Sequence, residues 1–281
     1  MKSVTIKSNL RDDPVIIVGM HHSGTSILAK IVAKGGIFIV TDMGHHESTL
    51  FTLTLNNKLI MKNQWHGDPI MTEESVMSFQ KMFDRFLDET VDEYFKNLGY
   101  DGNSRWGFKD PRVCVLMPLY LKRYPSAKFI HIIRDEQAVY KSLFTKNKSC
   151  NKNLDYWINV QKQHIDRVKK YSNKLSGKNF YEIKYEDLCL NPQEIVKDLY
   201  SWLELPFDSS IKEFLEETIY VENDVIQDFI EQVVLMSDGE LKKDRSEWLK
   251  KYGNYNKIEK YKKVVEKVYH TEELQNILRV K

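Results

Sequence analysis

Short apolar runs alternate with longer segments of helical periodicity over the first two thirds of the chain. Four runs are predicted to be strands: residues 15–18, 37–40, 128–133 and 179–185. Several of them carry apolar residues at successive positions, which is typical of strands covered on both faces. The pattern therefore indicates a parallel β-sheet between layers of helices.

Apolar residues at helical spacing predict two long helices, Glu73 to Asn97 and Leu154 to Leu175. A further helix is expected to begin at Pro192, with Asn191 as its N-cap, because proline is favoured in a first helical turn. Strand patterns stop after about residue 208, and the rest is helical in pattern and rich in lysine and tyrosine.

No repeat or Gly/Ser-rich linker marks a boundary between domains. We therefore predict one three-layer α/β domain over residues 1–281, with its core at 14–207 and a helical C-terminal portion at 208–281. The expected sheet is parallel.

Charge narrows the classes of partner. The chain has 42 basic and 40 acidic residues, which argues against a surface that coats nucleic acid but allows a local basic cleft for a small polyanion.

Its three cysteines form no CxxC pair, so we predict neither a disulfide framework nor a metal site. The N-terminal residues lack a signal-peptide core, and no apolar run is long enough for a membrane span. We expect a cytoplasmic protein.

The segment "VIIVGMHHSGTSIL" predicts an anion-binding loop between a strand and a helix. Gly19 and Gly24 have the spacing of the two P-loop glycines, and Ser23, Thr25 and Ser26 add hydroxyl groups. Backbone N–H groups and a helix N-terminus would surround the anion. Thr25 stands where a P-loop has its lysine, which disfavours a nucleoside triphosphatase. An ordinary strand-to-helix turn is the alternative.

A second candidate site lies in "KFIHIIRDEQAVYKS". Arg134 is predicted to end a strand, Asp135 to cap the next helix, and Ser142 to lie eight residues after Arg134. Ligands of open α/β sheets bind at the carboxyl ends of the strands, so Arg134 would face the same crevice as the glycine loop. A guanidinium group suits a phosphate monoester, although a surface pair with Asp135 explains the segment equally well.

Four segments in order resemble the sulfotransferase family, which transfers a sulfuryl group from 3′-phosphoadenosine 5′-phosphosulfate (PAPS) and releases 3′,5′-adenosine bisphosphate (PAP). They are "GMHHSGTS", "WGFKDPRV", "YPSAKFIHIIRDEQAVYKS" and "YEIKYEDLCLNPQEIVKDLYSWLEL". The resemblance extends from about residue 14 to 207 and is strongest to the bacterial-type and protein-tyrosine branches, which share the "KDP" element. It implies a P-loop-like fold, PAPS as donor and no metal.

The resemblance also assigns binding residues. The 5′-phosphosulfate would be held by the glycine loop, the 3′-phosphate by an arginine and a serine, and a tyrosine would lie near the nucleotide. The matching residues are Ser23, Gly24, Thr25 and Ser26 for the first group, Arg134 and Ser142 for the second, and Tyr185 for the third. A core tyrosine at a strand end is the other interpretation of Tyr185.

Two cations are implied near the reacting group. Family members usually carry Lys or Arg just before "SGT", and here that position is His22, which we expect to bind the donor and to donate a hydrogen bond to the leaving oxygen. Lys109 in "FKDPR" matches a catalytic lysine of the tyrosine-sulfotransferase branch. The alternatives are an exposed loop histidine and a solvated lysine paired with Asp110.

Glu47 is the candidate general base, because the family places a glutamate after its second strand. The segment predicts that Glu47 begins a helix, where a glutamate also serves simply to offset the helix dipole. His46 is the alternative base, and its neighbour His45 suggests no metal because a third ligand at recognisable spacing is missing from the sequence.

Near the C-terminus, "GELKKDRSEWLKKYGN" resembles a loop that closes over the nucleotide, with Lys243 as the predicted contact and a solvated helix face as the alternative.

The acceptor pocket is expected to be formed by residues 48–105 and 208–245. A hydroxyl of a carbohydrate or small molecule is the first expectation for the acceptor, and a peptide tyrosine the second. A small-molecule kinase and a non-catalytic nucleotide-binding protein are the alternative functions, and no nucleic-acid partner is expected.

Overall fold

A computed structural model describes residues 10–43, 46–60, 71–146, 154–175 and 177–219. The strands are β1 (Val15–Val18), β2 (Phe38–Ile39), β3 (Trp106–Lys109), β4 (Lys128–Ile133) and β5 (Phe180–Lys184). The helices are α1 (Thr25–Lys34), a π-helix (Thr49–Asn56), α2 (Asn57–Ile60), α3 (Glu73–Met77), α4 (Gln80–Asn97), α5 (Val113–Arg123), α6 (Glu136–Lys146), α7 (Leu154–Ser172), α8 (Tyr185–Leu190), α9 (Pro192–Leu203) and α10 (Ser209–Ile219).

All five strands form one parallel sheet in the order β2-β3-β1-β4-β5, which confirms the predicted α/β fold. β1 is central, pairs with β3 and β4, and is completely buried. In this register Ile17 lies opposite Lys109. Because the strands are parallel, their carboxyl ends share one edge of the sheet, and every loop that follows a strand begins there.

An aromatic cluster joins the π-helix and α4 to β3. Phe51 of the π-helix stacks on Phe108, with ring centroids 4.1 Å apart and planes 8° apart. Phe95 of α4 meets Trp106 edge to face at 4.9 Å. Aromatic pairs of this geometry contribute about 0.5–1.5 kcal/mol each beyond the burial of apolar area. The packing fixes the π-helix beside the strand that carries Lys109.

Several local predictions need correction. The long helix predicted from Glu73 is two helices, α3 and α4, which are separated at Ser78 and Phe79. Pro192 lies in the first turn of α9 as predicted, but the Asn191 side chain makes no capping hydrogen bond. Asn191 also ends α8, where its N–H donates to the Asp187 carbonyl, and this shared position sets its conformation.

The chain separates into two compact units, residues 1–212 and 213–281, and the sheet lies in the first. The predicted C-terminal helical portion is represented by α10, while Lys243 lies outside the described residues. The extent of the domain stays a prediction. Within the described ranges, no helix combines the length and apolar character required to cross a bilayer.

Candidate active site

Each strand leads into one predicted site residue at the shared carboxyl edge of the sheet. In spatial order from β2 to β5 these are Glu47 after β2, Lys109 at the end of β3, the glycine loop (residues 19–24) after β1, Arg134 after β4, and Tyr185 after β5. Segments far apart in the chain therefore meet along one line, because the parallel topology brings the ends of their strands together.

The glycine loop lies directly against Tyr185. Gly24 is the N-cap of α1 and has φ 97°, a left-handed conformation that favours glycine. A Cβ atom at Gly24 would lie 2.3 Å from Cδ2 of Tyr185, so only glycine fits. The first turn of α1 carries no acidic residue and its cap supplies no side-chain acceptor. Its N–H groups and dipole therefore suit an external anion.

Ser23 differs from its predicted role as a hydroxyl donor to the phosphosulfate. Its side chain is completely buried, and its Oγ donates to the Met20 carbonyl at 2.6 Å. The Ser23 N–H donates to the same carbonyl at 3.1 Å. Because both donors are engaged inside the loop, Ser23 maintains the shape of the loop, and the predicted anion donors that remain are Gly24, Thr25 and Ser26.

Arg134, Ser142, His22 and Tyr185 form one polar cluster. The Arg134 guanidinium lies 4.4 Å above the Tyr185 ring and donates from Nη1 to the His22 carbonyl at 3.2 Å. The His22 Nδ1 lies 3.0 Å from Ser142 Oγ. Asp135 caps α6 by accepting from the Ala138 N–H at 2.9 Å. The predicted 3′-phosphate residues are therefore brought together beside the glycine loop.

The structure directs His22 toward Ser142. His22 has φ 67°, a left-handed conformation in which histidine is one of the more tolerated residues. This backbone presents its carbonyl to Arg134 and its ring to Ser142. The sequence predicted contact with the leaving oxygen, whereas the structure joins His22 to the Arg134–Ser142 pair. Its role at the leaving oxygen stays a prediction.

Glu47 and Lys109 are brought together by the ends of β2 and β3. Lys109 Nζ donates to Glu47 Oε1 at 3.3 Å, and the two side chains are 3% and 22% exposed. Burial lowers the pKa of Lys109, and the negative charges of Glu47 and Asp110 oppose that change. The solvated-lysine interpretation is therefore wrong, because Lys109 is buried beside a carboxylate.

Glu47 does not begin a helix. It precedes the N-cap Ser48, and the π-helix starts at Thr49. A short antiparallel bridge pairs Glu47 with Met43. The predicted alternative, a glutamate in a first helical turn, is therefore wrong. His46 is half-buried with φ 55°, and His45 lies outside the described residues.

A buried hydrogen-bond network next to Lys109 was not predicted. Asp110 Oδ1 accepts from the N–H and the guanidinium of Arg112, and Asp110 Oδ2 accepts from Asn56 Nδ2 at 2.9 Å. Asn56 Oδ1 accepts from the Tyr120 hydroxyl at 2.6 Å. The aromatic and amide residues lie 54 to 64 positions from their partners, so no local pattern indicates these contacts. The network holds the "KDP" turn against the π-helix.

Gln161 on α7 is a further residue that the sequence did not single out. Its Nε2 donates to the Arg134 carbonyl at 2.6 Å, and its side chain is buried. The helical pattern of α7 places position 161 on the buried face, and a glutamine among apolar neighbours there was the available signal. Gln161 thereby fixes the backbone that carries Arg134.

The arrangement combines a carboxylate, a buried ammonium group and two groups of anion donors along one edge. A carboxylate accepts a proton from a hydroxyl group, and the cations stabilise negative charge that develops on oxygen. Among the described residues, no three His, Cys, Asp or Glu side chains are grouped so that they would hold a metal ion. This chemistry suits the transfer of an anionic group to an acceptor hydroxyl.

Comparisons with known proteins find several relatives of this chain. An uncharacterized protein of Aquifex aeolicus is 24% identical over 72% of this chain and 26% of its own length. A putative protein-tyrosine sulfotransferase of Caenorhabditis elegans is 26% identical over 53% of this chain and 56% of its own. A solved sulfotransferase domain from the curacin biosynthetic pathway is 16% identical, with TM-score 0.48 over 72% of this chain and 77% of that domain.

The chain spans a quarter to just over half of the length of these two sequence relatives. A protein-family model described as "Sulfotransferase family" matches residues 14–209, more than two thirds of the chain. The matched range contains the glycine loop, Glu47, Lys109 and the Arg134–Ser142 pair. This chain belongs to the sulfotransferase family.

Proposed function

We propose that this chain transfers the sulfuryl group of PAPS to a hydroxyl group of an acceptor. The observation that carries the proposal is the order of groups along the carboxyl edge: the Glu47–Lys109 pair, the glycine loop, and the Arg134–Ser142–His22 cluster. This order matches the donor from its reacting end to its 3′-phosphate.

The residues fit the two anionic ends of PAPS. Gly24, Thr25 and Ser26 at the start of α1 would hold the 5′-phosphosulfate through N–H and hydroxyl groups. Arg134 and Ser142 would hold the 3′-phosphate, for which a planar guanidinium is well suited. Arg134 is 8% exposed and Ser142 9%, so an anion bound there would be shielded from solvent.

PAPS supplies the sulfuryl group, which moves to the acceptor oxygen while the bridging oxygen of the phosphate keeps the bonding electrons. Glu47 accepts the proton of the acceptor hydroxyl, which increases the nucleophilicity of that oxygen. Lys109 holds the Glu47 carboxylate before proton transfer and stabilises the negative charge that develops on the departing phosphate.

The charges around Lys109 support this assignment. Glu47 and Asp110 carry two negative charges, and Lys109 and Arg112 carry two positive charges. When Glu47 accepts a proton, the group gains one net positive charge at the moment when the leaving phosphate gains negative charge. A cation inside a buried site stabilises such charge more strongly than one in water.

For the acceptor, we propose a hydroxyl of a carbohydrate or small molecule first and a peptide tyrosine second. The Caenorhabditis elegans relative is described as a putative protein-tyrosine sulfotransferase. A panel of sugars, phenols and tyrosine peptides with radiolabelled PAPS would separate these acceptors. The proposal would be contradicted if none of these acceptors received a sulfuryl group from PAPS while the protein transferred a phosphoryl group from ATP to an acceptor.

Thermal unfolding with nucleotides tests the donor. We expect 3′,5′-adenosine bisphosphate to raise the unfolding temperature, because a ligand at 100 times its Kd stabilises a protein by about 2.7 kcal/mol. ATP with Mg²⁺ at the same concentration should produce a smaller shift. A response to ATP with Mg²⁺ and none to the bisphosphate would instead favour the kinase alternative.

Arg134→Gln tests the 3′-phosphate site. We expect it to weaken bisphosphate binding by roughly 10- to 100-fold, because a hydrogen bond to a charged group contributes about 1.5–3 kcal/mol. Binding of adenosine 5′-monophosphate, which lacks the 3′-phosphate, should change much less. Arg123→Gln is the control, since Arg123 pairs with Asp88 at the surface. Equal losses for both nucleotides in Arg134→Gln would remove the 3′-phosphate assignment.

A further inference from the structure

The backbone of Glu47 is held by three donors from the end of the β2 segment. The Glu47 carbonyl accepts from the N–H of Asp42 at 3.3 Å and from the N–H of Met43 at 3.2 Å. The Thr41 hydroxyl donates to it at 3.2 Å. The segment around Glu47 is therefore a closed loop, and its position depends on what holds Asp42 and the start of the π-helix.

Three of the first four N–H groups of the π-helix donate to groups of Asp42 and Ser48. The Thr49 N–H donates to Asp42 Oδ1 at 2.7 Å, and the Phe51 N–H donates to Ser48 Oγ at 3.3 Å. The Thr52 N–H donates to the Ser48 carbonyl at 2.8 Å. Residues on both sides of Glu47 thus take part in one cap.

Tyr94 connects this cap to the core. Its hydroxyl lies 3.0 Å from Ser48 Oγ, and burial, with a smaller contribution from the charge of Asp42, raises the pKa of Tyr94. Tyr94 belongs to α4, which is anchored by the buried side chains of Phe83, Leu87, Val91 and Phe95. One hydroxyl group on a packed helix therefore contacts Ser48, the residue that follows Glu47 and caps the π-helix.

We infer that Tyr94 is a positioning residue for the proposed general base: through Ser48, the next residue in the chain, it holds the Glu47 carboxylate against Lys109. The inference rests on the proposed function. Tyr94 acts through its neighbours and needs no contact with the reacting atoms. Displacement of a catalytic group by about 1 Å can lower a rate by roughly 100-fold, so loss of one hydrogen bond in this cap has a measurable effect on catalysis.

Tyr94→Phe removes the hydroxyl and keeps the ring. Tyr100→Phe is the matched control, because Tyr100 is also half-buried beyond the end of α4 and its hydroxyl donates to the Ser104 carbonyl in a turn. The assay measures transfer of the PAPS sulfuryl group to water, as sulfate released, so it needs no identified acceptor. We expect Tyr94→Phe to lower this rate about tenfold and Tyr100→Phe to leave it unchanged. Both variants should bind the bisphosphate as the unaltered chain does.

The pH profile separates positioning from a general structural defect. Lys109 faces Glu47, Asp110 and Arg112, and its lowered pKa is opposed by the charge of Glu47. If Glu47 moves away, the pKa of Lys109 falls further, so the loss of rate at high pH should begin at lower pH in Tyr94→Phe. The inference would be overturned if Tyr94→Phe had a slower rate but the same pH for its loss of rate at high pH. An equal loss of rate in Tyr100→Phe would also overturn it.

Ser48→Ala completes a double-mutant cycle. Ser48→Ala also removes the cap that accepts from the Phe51 N–H, so the double variant should lose little more rate than Ser48→Ala alone. Additive losses would contradict the proposed connection. If the unaltered chain binds the bisphosphate and Tyr94→Phe releases sulfate at the same rate, only the role of Tyr94 is refuted. An unaltered chain that binds no bisphosphate and releases no sulfate refutes the proposed function, and this inference with it.

Discussion

Glu47→Gln is expected to lower sulfuryl transfer by roughly 10²- to 10⁴-fold, the range that general base catalysis typically contributes. Glutamine keeps the size of the side chain and can accept a hydrogen bond from Lys109, but it cannot take a proton from an acceptor hydroxyl. Bisphosphate affinity should remain within about twofold, since the proposed nucleotide site begins at the loop after β1, beyond Lys109 along the sheet edge. Steady-state rates at saturating PAPS measure the effect.

Glu182→Gln is the matched control for this variant. Glu182 is also a partly exposed glutamate with a basic partner, the His131 ring at 2.9 Å, but it lies on β5 away from the proposed base. Its substitution should leave transfer unchanged. Full activity in Glu47→Gln would reject the base assignment. If His46→Asn then lowered the rate, the neighbouring histidine would take that role.

Gly24→Ala is expected to weaken bisphosphate binding by roughly 100-fold or more. A Cβ at Gly24 would overlap Cδ2 and Cε2 of Tyr185, and the Tyr185 ring supports the Arg134 guanidinium. The substitution should therefore displace both the glycine loop and Arg134, the proposed ligand of the 3′-phosphate. Misplacement of binding groups by about 1 Å is sufficient for a change of this size. Isothermal titration with the bisphosphate measures it.

Gly36→Ala provides an unusually close comparison. Gly36 has φ 99°, against 97° for Gly24, but a Cβ at Gly36 meets no atom within 4 Å. Both substitutions incur the same left-handed backbone strain, about 1–2 kcal/mol, and only Gly24→Ala adds the overlap with Tyr185. Gly36→Ala should lose only the stability that this strain costs and keep its bisphosphate affinity, whereas Gly24→Ala should lose more stability and also lose affinity. Equal affinities would show that the loop tolerates a side chain there.

The fold was largely predictable because its signals are local. Apolar runs identified β1 and β4 with their observed bounds, and the glycine spacing identified the loop before α1. The break between α3 and α4 was not predicted, because the helical spacing of apolar residues continues across Ser78 and Phe79 in the sequence. No pattern in the sequence predicted the π-helix, because its packing depends on the stacking of Phe51 on Phe108 of β3 and on the hydrogen bond from Asn56 to Asp110, the residue after β3.

The candidate residues were also identified from sequence, but several of their environments were not. Lys109 was open to interpretation as a solvated lysine until the sheet brought it to Glu47 and buried it. Ser23 and His22 carry the right chemical groups, yet the folded loop directs one to the Met20 carbonyl and the other to Ser142. Side-chain direction depends on the backbone conformation of the loop, which residue type alone does not specify.

By itself, the sequence determined the alternation of strands and helices, the glycine loop, the absence of a P-loop lysine, and the spacing of Arg134 and Ser142. These features depend on residue type and short-range spacing. Only the tertiary structure decided that Glu47 meets Lys109, that Tyr185 lies against Gly24 and Arg134, and that the Tyr94 hydroxyl contacts Ser48 beside the proposed base. Such contacts join residues 46 to 161 positions apart, so they arise from the strand order of the sheet and the packing of its helices.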